Sequence, residues 1–307
     1  MALDNYIWFE KHRPLQLKDM SLNKDHRTAF KKFIKDGEVP HLLLEGPQGS
    51  GKTTMAYILM EQIPCIRLTL NASGQDRGID TIRGKVKQFA GSQASKGKIK
   101  IILFDEADAL TADAQTALRN TMETYSKNCR FILTCNYVDK IIGPLQSRCT
   151  RFTFDRFPKR KLVSVCEDIL NSESIEDVSR DEITALINRF YPDMRSIVNN
   201  LQSACVSGKF NAKAIGSLNA DPKEVVDLLK KGKIMDIRNA IAGITDFMYV
   251  YRYMMDEWIL DFEPEQQVLI AQIIGDSTRY TQRVPDKEIE FVNCCAMLME
   301  ALEIEAK

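Results

Sequence analysis

Apolar and polar positions alternate on two length scales between about Pro40 and Phe154. Amphipathic stretches of helix length separate five short apolar runs, which are HLLLEG, CIRLTLN, IKIILFDEAD, CRFILTCN and RFTF. Strands that alternate with helices are typical of a parallel sheet that is covered on both faces. We therefore expect an α/β domain over residues 1–154.

The pattern becomes helical after FDRFP at residues 154–158. Apolar residues then recur three and four positions apart, as on one face of a helix, in KRKLVSVCEDILNSE, SRDEITALINRF and DMRSIVNNLQSACVSG. Ser179 in VSRDE is a favoured N-cap residue, and Gly208 in SGK is a favoured helix stop. These features predict a small helical domain over residues 155–218.

A second change in composition, at LNADPKE, opens another helical region over residues 219–307. This region ends in PEQQVLIAQIIGDSTRY and KEIEFVNCCAMLMEALEIEAK, whose predicted helices are strongly apolar. Their apolar faces could form the core of a third bundle, or part of them could form a subunit interface. We expect a C-terminal domain that is entirely helical.

The charges balance, because lysine and arginine together number 42 and so do aspartate and glutamate. Any contact with DNA would therefore have to come from a local basic stripe rather than from net charge. The eight cysteines form no C-x-x-C pair and the three histidines lie far from most of them, which argues against a zinc site. Reduced thiols are the simplest interpretation.

The N-terminal stretch MALDNYIWFEKHRP lacks the apolar segment of a secretory leader. No apolar run approaches the roughly 18–20 residues that a membrane span requires. We expect a protein that is not secreted, has no membrane partner and works in the cytoplasm.

The segment GPQGSGKT fits the phosphate-loop pattern G-x-x-x-x-G-K-[ST] between a strand-like run and a helical stretch. Its glycines allow backbone N–H groups to surround phosphate oxygens, Lys52 is expected to reach the β- and γ-phosphates, and the Thr53 hydroxyl is expected to bind Mg²⁺. A glycine turn without a ligand is the alternative. The predicted nucleotide-binding residues of the loop are Gly46, Pro47, Gln48, Gly49, Ser50, Gly51, Lys52, Thr53 and Thr54.

The run IKIILFDEAD predicts a buried strand that ends in two adjacent acids, Asp105 and Glu106. Ligands in an open α/β sheet bind at the carboxyl ends of the strands. Asp105 is expected to hold Mg²⁺ and Glu106 to orient and deprotonate an attacking water, which indicates hydrolysis. Acids that merely cap a strand are the alternative.

The letters DEAD also name a helicase superfamily, but the helical C-terminal half leaves no room for its second RecA-like domain.

The run CRFILTCN predicts a neighbouring strand that ends in Asn136. An amide at this position could hydrogen-bond the γ-phosphate or the attacking water. A loop asparagine without a role is the alternative interpretation.

Seven segments together resemble the small subunit of a sliding-clamp loader, the AAA+ group that includes replication factor C small subunits and their phage counterparts. The resemblance is dense from about Trp8 to Gln202. The triplet Ser147-Arg148-Cys149 is its most family-specific motif, whereas the other motifs are shared with many AAA+ proteins. The seven segments are WFEKHRP, PHLLLEGPQGSGKTT, LNASGQDRGIDTIRGKVKQFA, ILFDEADALTADAQTALRNTME, NCRFILTCNY, PLQSRC and DMRSIVNNLQ.

The resemblance implies roles for three arginines around the nucleotide. Arg148 would reach the γ-phosphate held by the neighbouring subunit, as an arginine finger. Arg195 would act as the second sensor, from the helical lid onto the nucleotide of its own subunit. Arg13, in the WFEKHRP segment, would flank the adenine site, where His12 replaces an expected tyrosine. An Arg148 that only pairs with a surface acid is the alternative to the finger.

The resemblance also implies contacts with macromolecules. Arg83, Lys85 and Lys87 lie on a predicted helix and would hold one DNA strand by its phosphates, although a solvated charged face is the alternative. Phe89, just beyond, would contact the clamp. Gln115 would link DNA sensing to the catalytic acid, or it would be an ordinary exposed polar residue of a helix.

The expected function is therefore that of an ATPase with ATP and Mg²⁺ as ligands. The resemblance implies a clamp-loader subunit that opens a sliding clamp and loads it onto primer-template DNA, with hydrolysis triggering release. Its partners would be several copies in a head-to-tail ring, a distinct larger subunit, the clamp and DNA, in the cytoplasm, at the nucleoid or in a nucleus. Another AAA+ DNA machine, such as a helicase loader or branch-migration motor, and a non-hydrolysing scaffold subunit are the alternatives.

Overall fold

The computed structural model describes residues 6–93, 98–206, 208–211, 222–242, 244, 247–281 and 284–305. Within these ranges the chain forms two compact units. One unit takes its residues from 1–169 and 192–199, and the other from 170–191 and 200–307. The predicted lid segment, residues 155–218, thus contributes to both units, and the three-domain subdivision stays a prediction.

The first unit is built on a parallel sheet of five strands in its described residues. Four strands lie within the apolar runs that predicted them, and the fifth overlaps RFTF but begins one residue earlier, at Thr150, so the parallel α/β sheet is confirmed. The strands pair in the order β2-β3-β4-β1-β5. Their bounds are β1 (Leu42–Glu45), β2 (Cys65–Asn71), β3 (Ile99–Asp105), β4 (Cys129–Cys135) and β5 (Thr150–Thr153).

The central strands are buried on both faces, which explains why their sequences read as continuous apolar runs. Successive side chains of a strand point to opposite faces. Leu43 and Leu133 accordingly join one apolar core, whereas Leu42 and Ile132 join the core on the other face.

The helices of the first unit cover the two faces of this sheet. The helix Lys24–Asp36 is capped by Asn23, whose side chain accepts a hydrogen bond from the His26 N–H at 2.8 Å, and it ends at Gly37 with φ 67°. The helices of the first unit are α1 (Trp8–Lys11), α2 (Lys24–Asp36), α3 (Lys52–Gln62), α4 (Ile79–Thr81), α5 (Lys87–Gly91), α6 (Ala112–Thr124), α7 (Gly143–Gln146) and most of α8 (Lys159–Ser172).

The described residues of the second unit form helices joined by loops, and they contain no strand. The helix Arg180–Phe190 has the predicted N-cap, because the Ser179 hydroxyl and the Glu182 carboxylate each bond the other residue's backbone N–H. The helices are α9 (Arg180–Phe190), α10 (Met194–Ala204), whose first turns belong to the first unit, α11 (Pro222–Lys230), α12 (Ile234–Ile241), α13 (Met248–Asp256), α14 (Pro264–Thr281) and α15 (Lys287–Ala301).

The C-terminal helices α11–α15 share one apolar core, in which the Phe247 and Phe291 rings stack with centroids 4.7 Å apart. The predicted apolar helical region is therefore confirmed as a packed bundle. The predicted boundary between residues 218 and 219 lies outside the described residues. Among the described helices, none is long and apolar enough to cross a membrane.

Candidate nucleotide site

The phosphate loop joins the end of β1 to the start of α3. Gly46, Gly49 and Gly51 have φ values of 146°, 75° and 92°, in the region that L side chains rarely adopt. A methyl group built on Gly46 would lie 2.1 Å from the Phe154 carbonyl oxygen. The sequence therefore needs glycine here both for the backbone turn and for the close approach of β5.

Lys52, the first residue of α3, is buried and turns its ammonium back into the loop. Nζ donates to the carbonyl oxygens of Gly46 at 2.9 Å and Pro47 at 2.8 Å, and to Asn136 Oδ1 at 2.9 Å. Burial lowers the pKa of Lys52, and nearby Asp105 opposes that shift. The structure thus brings together the predicted phosphate-binding lysine and the predicted sensor asparagine.

The carboxylate of Asp105 lies at the carboxyl end of β3, beside the loop. Asp105 Oδ1 accepts the Thr53 hydroxyl at 2.7 Å and the Thr134 hydroxyl at 2.6 Å. A hydroxyl and a carboxylate oxygen are ligands that suit Mg²⁺. The two residues predicted to hold the metal, Thr53 on α3 and Asp105 on β3, therefore meet.

Glu106 follows Asp105 and is exposed, with a left-handed φ of 56°. This conformation is uncommon for a residue with a side chain. Its backbone N–H donates to Thr134 Oγ1 at 3.0 Å. The turn that carries the predicted base is thus tied to the neighbouring strand β4.

Asp108 makes a second link between the ends of β3 and β4. Its Oδ2 accepts the backbone N–H groups of Asn136 at 3.3 Å and Tyr137 at 3.2 Å. The loop that presents Asn136 is therefore anchored to the acidic segment.

The residues of the loop fit a triphosphate. The Ser50 hydroxyl is buried and has no hydrogen-bond partner among the described residues. Such a group calls for a ligand, since unpaired buried polar groups are rare in folded proteins. With the Lys52 ammonium and the glycine turn, it gives the loop donors for phosphate, and Thr53 with Asp105 gives it oxygen ligands for Mg²⁺.

Arg195 and the start of α10 lie beside the loop. A methyl group built on Gly49 would be 3.1 Å from Asp193 Oδ1 and 3.2 Å from the Met194 backbone nitrogen. The Arg195 guanidinium lies 4.7 Å from the centroid of the Phe9 ring. The predicted second sensor is therefore held near the phosphate loop of its own chain.

Arg13 also packs against Phe9, with its guanidinium 5.7 Å from that ring and 5.8 Å from the Tyr57 ring of α3. Its Nη2 donates to Glu10 at 3.2 Å. Since Tyr57 lies one turn beyond Thr53, Arg13 borders the helix that begins in the phosphate loop. A contact between Arg13 and the nucleotide stays a prediction.

Arg148 stands apart from this cluster. It forms an ion pair with Glu123 of α6, and its Nη1 donates to the Pro144 carbonyl oxygen at 2.6 Å. None of its hydrogen bonds in the described chain reaches the phosphate loop. A role at the nucleotide of a neighbouring subunit stays a proposal.

The basic segment that follows β2 is helical, as expected, but a π-helical turn over Ile82–Val86 interrupts it. Arg83, Lys85 and Lys87 are all exposed. The Lys85 ammonium is paired with Asp76 at 2.9 Å, whereas no ion pair is formed by Arg83 or Lys87 in the described chain.

Phe89, the predicted clamp contact, is half-buried and packs against the apolar core beneath the sheet. The buried Lys100 ammonium lies 5.6 Å from the centroid of its ring and donates to its carbonyl oxygen at 2.8 Å. Phe89 thus has structural contacts within the chain, and the clamp contact remains a prediction.

Gln115 is buried on α6, so its interpretation as an exposed helix residue is wrong. Its amide nitrogen donates to the carbonyl oxygens of Leu110 at 3.2 Å and Lys140 at 2.9 Å, and its oxygen accepts the Ile142 N–H at 2.8 Å. These bonds hold the loop that joins β4 to α7.

Two residues that share this site, Thr134 and Asp108, are not among the predicted site residues. Thr134 lies two positions before Asn136, so the period-two alternation of a strand places both on one face. That pattern would have identified Thr134. No local pattern identifies Asp108, because its partners are backbone N–H groups in the loop that follows another strand, β4.

The sheet, the glycine loop and the paired acids define an ATPase of the AAA class. Residues 42–157 match the family model described as "ATPase family associated with various cellular activities (AAA)".

Curated relatives make the assignment narrower. The chain is 37% identical to the replication factor C small subunit of Methanocella arvoryzae, over 90% of this chain and 91% of that protein. It is 41% identical to the replication factor C small subunit of Sulfurisphaera tokodaii, over 93% of this chain and 86% of that protein. The chain therefore belongs to the replication factor C small-subunit family.

A solved structure shares the fold. The Thermotoga maritima RuvB Holliday junction branch migration motor matches with a TM-score of 0.58 over 80% of this chain and 91% of that chain. Its sequence identity is 14%, so this likeness concerns the fold alone.

Proposed function

We propose that this chain is an ATP-hydrolysing subunit of a clamp loader, which opens a sliding clamp and places it on primer-template DNA. The observation that carries the proposal is the convergence of Lys52 with Asn136 and of Thr53 with Asp105 around the glycine loop. These are the groups of a hydrolytic nucleotide site. Membership of the replication factor C small-subunit family supports the assignment of the substrate and the partners.

The chain's own groups would divide the work of hydrolysis. Lys52 and the loop N–H groups bind the phosphates, and Thr53 and Asp105 would hold Mg²⁺. When bound, Mg²⁺ would neutralise charge that develops on the phosphate oxygens. Asn136 would orient the attacking water or the γ-phosphate, and Glu106 would accept the proton from that water.

A second subunit would complete the site. Arg148 of one chain would contact the γ-phosphate bound by the next, so that ATP joins neighbours in a head-to-tail ring of several copies with a distinct larger subunit. Arg195 and Arg13 would contact the nucleotide of their own chain. Hydrolysis would weaken the interface and release the closed clamp on DNA.

The basic segment and the domain plan complete the proposal. Arg83 and Lys87, with Lys85, would line the inside of the ring and hold one DNA strand by its phosphates, and Phe89 would mark the clamp-facing side. Residues 1–154, 155–218 and 219–307 would be the ATP-binding, lid and collar domains. Such a complex would work where DNA is replicated, at the nucleoid or in a nucleus.

An ATPase assay tests the proposal. We expect a low rate for the isolated chain and a rise when the partner subunits, the clamp and primed DNA are all present, with Glu106→Gln as the inactive control. Strong stimulation by a four-way junction without a clamp would instead indicate a branch-migration motor. A complex that loads clamps although this subunit never turns over ATP would indicate a scaffold. Native mass spectrometry would give the copy number.

A further inference from the structure

Thr134 is a buried polar residue at the end of β4, with 1% of its surface exposed. A buried hydroxyl is unfavourable unless it is hydrogen-bonded. Its neighbours in the strand sequence FILTC are apolar. Valine would suit a buried strand position equally well. The presence of a hydroxyl here therefore needs an explanation in its contacts.

The hydroxyl has one proton to donate and lone pairs with which to accept. The carboxylate of Asp105 can only accept, so Thr134 donates its proton to Asp105 Oδ1, at 2.6 Å. It accepts the backbone N–H of Glu106, at 3.0 Å. One side chain is thus bonded both to the predicted metal ligand and to the backbone of the predicted base.

Both bonds restrain groups that would otherwise be free to move. Asp105 Oδ1 is shared between the hydroxyls of Thr53 and Thr134, which come from α3 and β4 and approach the same oxygen. Glu106 has φ 56°, a strained conformation that persists only where its surroundings hold it. The bond from its N–H to Thr134 is such a restraint.

We propose that Thr134 is a positioning residue for ATP hydrolysis. Its hydroxyl fixes the orientation of the Asp105 carboxylate toward Thr53, and it holds the left-handed turn at Glu106. It acts through these two acids and does not itself bind nucleotide. The inference rests on the hydrolytic function proposed above.

Two substitutions at Thr134 distinguish the effect of its hydroxyl hydrogen bonds from the effect of its packing. Thr134→Val removes the hydrogen bonds at similar volume, and Thr134→Ser keeps the hydroxyl. We expect Thr134→Val to lower kcat about 10- to 100-fold, the range seen when residues that support metal ligands are replaced. We expect the KM for ATP to stay within about threefold, since the phosphate-binding donors of the loop are intact. Thr134→Ser should recover most of kcat.

A binding measurement adds a readout that does not depend on turnover. Fluorescent ADP is titrated at a series of Mg²⁺ concentrations. Thr134→Val should raise the Mg²⁺ concentration needed for half-maximal tight binding, because Asp105 is less well oriented. Binding of ADP without Mg²⁺ should be unchanged. A Mg²⁺ dependence like that of the wild type would count against the proposal.

The matched control is Thr121→Val on α6. Thr121 is also buried, and its hydroxyl donates to the Ala117 carbonyl oxygen at 2.9 Å, within its own helix. An equal loss of kcat in Thr121→Val and Thr134→Val would overturn the inference, because a general effect of losing a buried hydroxyl would explain both. If Thr134→Val does not fold, Thr134→Cys replaces it, and wild-type kcat in that variant would likewise overturn the inference.

Glu106→Gln distinguishes this inference from the function on which it rests. If Glu106→Gln abolishes hydrolysis while Thr134→Val leaves kcat unchanged, Thr134 has no positioning role and the proposed function survives. If Glu106→Gln hydrolyses ATP as fast as the wild type, Glu106 is not the catalytic base. The positioning role of Thr134, which acts in part through Glu106, is then wrong as well.

Discussion

Arg148 and Glu123 form an ion pair on the surface of a single chain. About a third of the arginine side chain and half of the glutamate side chain are exposed, at 34% and 50%. Exposed pairs of this kind contribute about 0–1 kcal/mol. An arginine finger is worth roughly 10³–10⁵ in rate. Breaking this pair therefore costs little, so it would not prevent Arg148 from making the proposed contact with a neighbouring subunit's phosphate.

Replacing the arginine tests whether it completes a neighbour's site. Arg148→Ala should keep nucleotide binding, because Lys52 and the glycine loop are unchanged. It should lose the stimulation of ATPase by clamp and primed DNA, by about 10³-fold if the finger has its usual effect. Steady-state ATPase of the assembled complex and fluorescent-nucleotide binding to the single chain measure the two properties.

Glu123→Gln is the matched control, since it breaks the same ion pair but leaves the guanidinium in place. We expect its stimulated rate to equal or exceed that of the wild type. If Arg148→Ala shows full stimulation, or if Glu123→Gln loses as much as Arg148→Ala, the finger assignment is wrong.

The phosphate loop gives a prediction about stability. Gly46 and Gly37 both have positive φ, but a methyl group would meet the Phe154 carbonyl at Gly46 and nothing within 4 Å at Gly37. Gly37→Ala should therefore cost only the left-handed strain, about 1–2 kcal/mol. Gly46→Ala adds a backbone collision and should cost more than about 3 kcal/mol, a loss that only such specific defects produce.

Urea unfolding of the two glycine variants measures the difference, and nucleotide binding should fail only in Gly46→Ala. Equal losses of stability in both variants would mean that β5 can move away from Gly46.

The sequence predicted the frame of the site because strand runs and glycine spacing are local signals. The runs that end in Asp105 and Asn136 became adjacent strands, and parallel pairing alone brings their carboxyl ends together. Local signals of this kind could not predict the hydrogen-bond partners of Arg148 and Gln115. Their contacts, to Glu123 and to the Lys140 carbonyl, depend on how α6 packs against the loop after β4.

The sequence pattern also did not predict the π-helical turn at Ile82–Val86. Apolar residues at helical spacing do not distinguish i→i+4 from i→i+5 hydrogen bonding. The Lys87 N–H bonds to the Ile82 carbonyl across five residues, with Gly84 in the middle of the turn. The angle between Arg83 and Lys87 about the helix axis therefore does not follow from regular α-helical spacing.

DNA binding by the assembled complex tests the basic segment. Arg83→Ala and Lys87→Ala should each weaken binding and reduce the slope of log K against log salt by about 0.7–0.9, the change expected for one lost phosphate contact. Lys85→Ala should have a smaller effect, because the ammonium is already paired with Asp76. Fluorescence anisotropy over a series of salt concentrations measures these slopes, and slopes equal to the wild type would show that the face is merely solvated.

His41 makes the stability of the first unit depend on pH. Its Nδ1 accepts the Phe131 backbone N–H at 3.2 Å, which requires that nitrogen to be unprotonated. Burial, with a smaller effect of Arg130, lowers the pKa of His41 to about 4. The unfolded chain has a histidine pKa of about 6.5. Between these values the unfolded chain binds a proton that the folded chain does not, so stability is full above pH 6.5 and falls as pH drops toward 4.

The substitution His41→Asn keeps an acceptor for the Phe131 N–H but cannot titrate in this range. Both proteins share every other ionisable group, including His26, so the difference between them isolates His41. Between pH 7.5 and pH 5 the wild type should lose about 1 kcal/mol more stability than His41→Asn, a figure that allows for screening of this partly exposed ring. Urea unfolding at the two pH values measures the loss. Equal pH dependence in the two proteins would show that the folded chain accommodates the protonated imidazole, and hence that the bond to Phe131 does not hold the junction between β1 and β4.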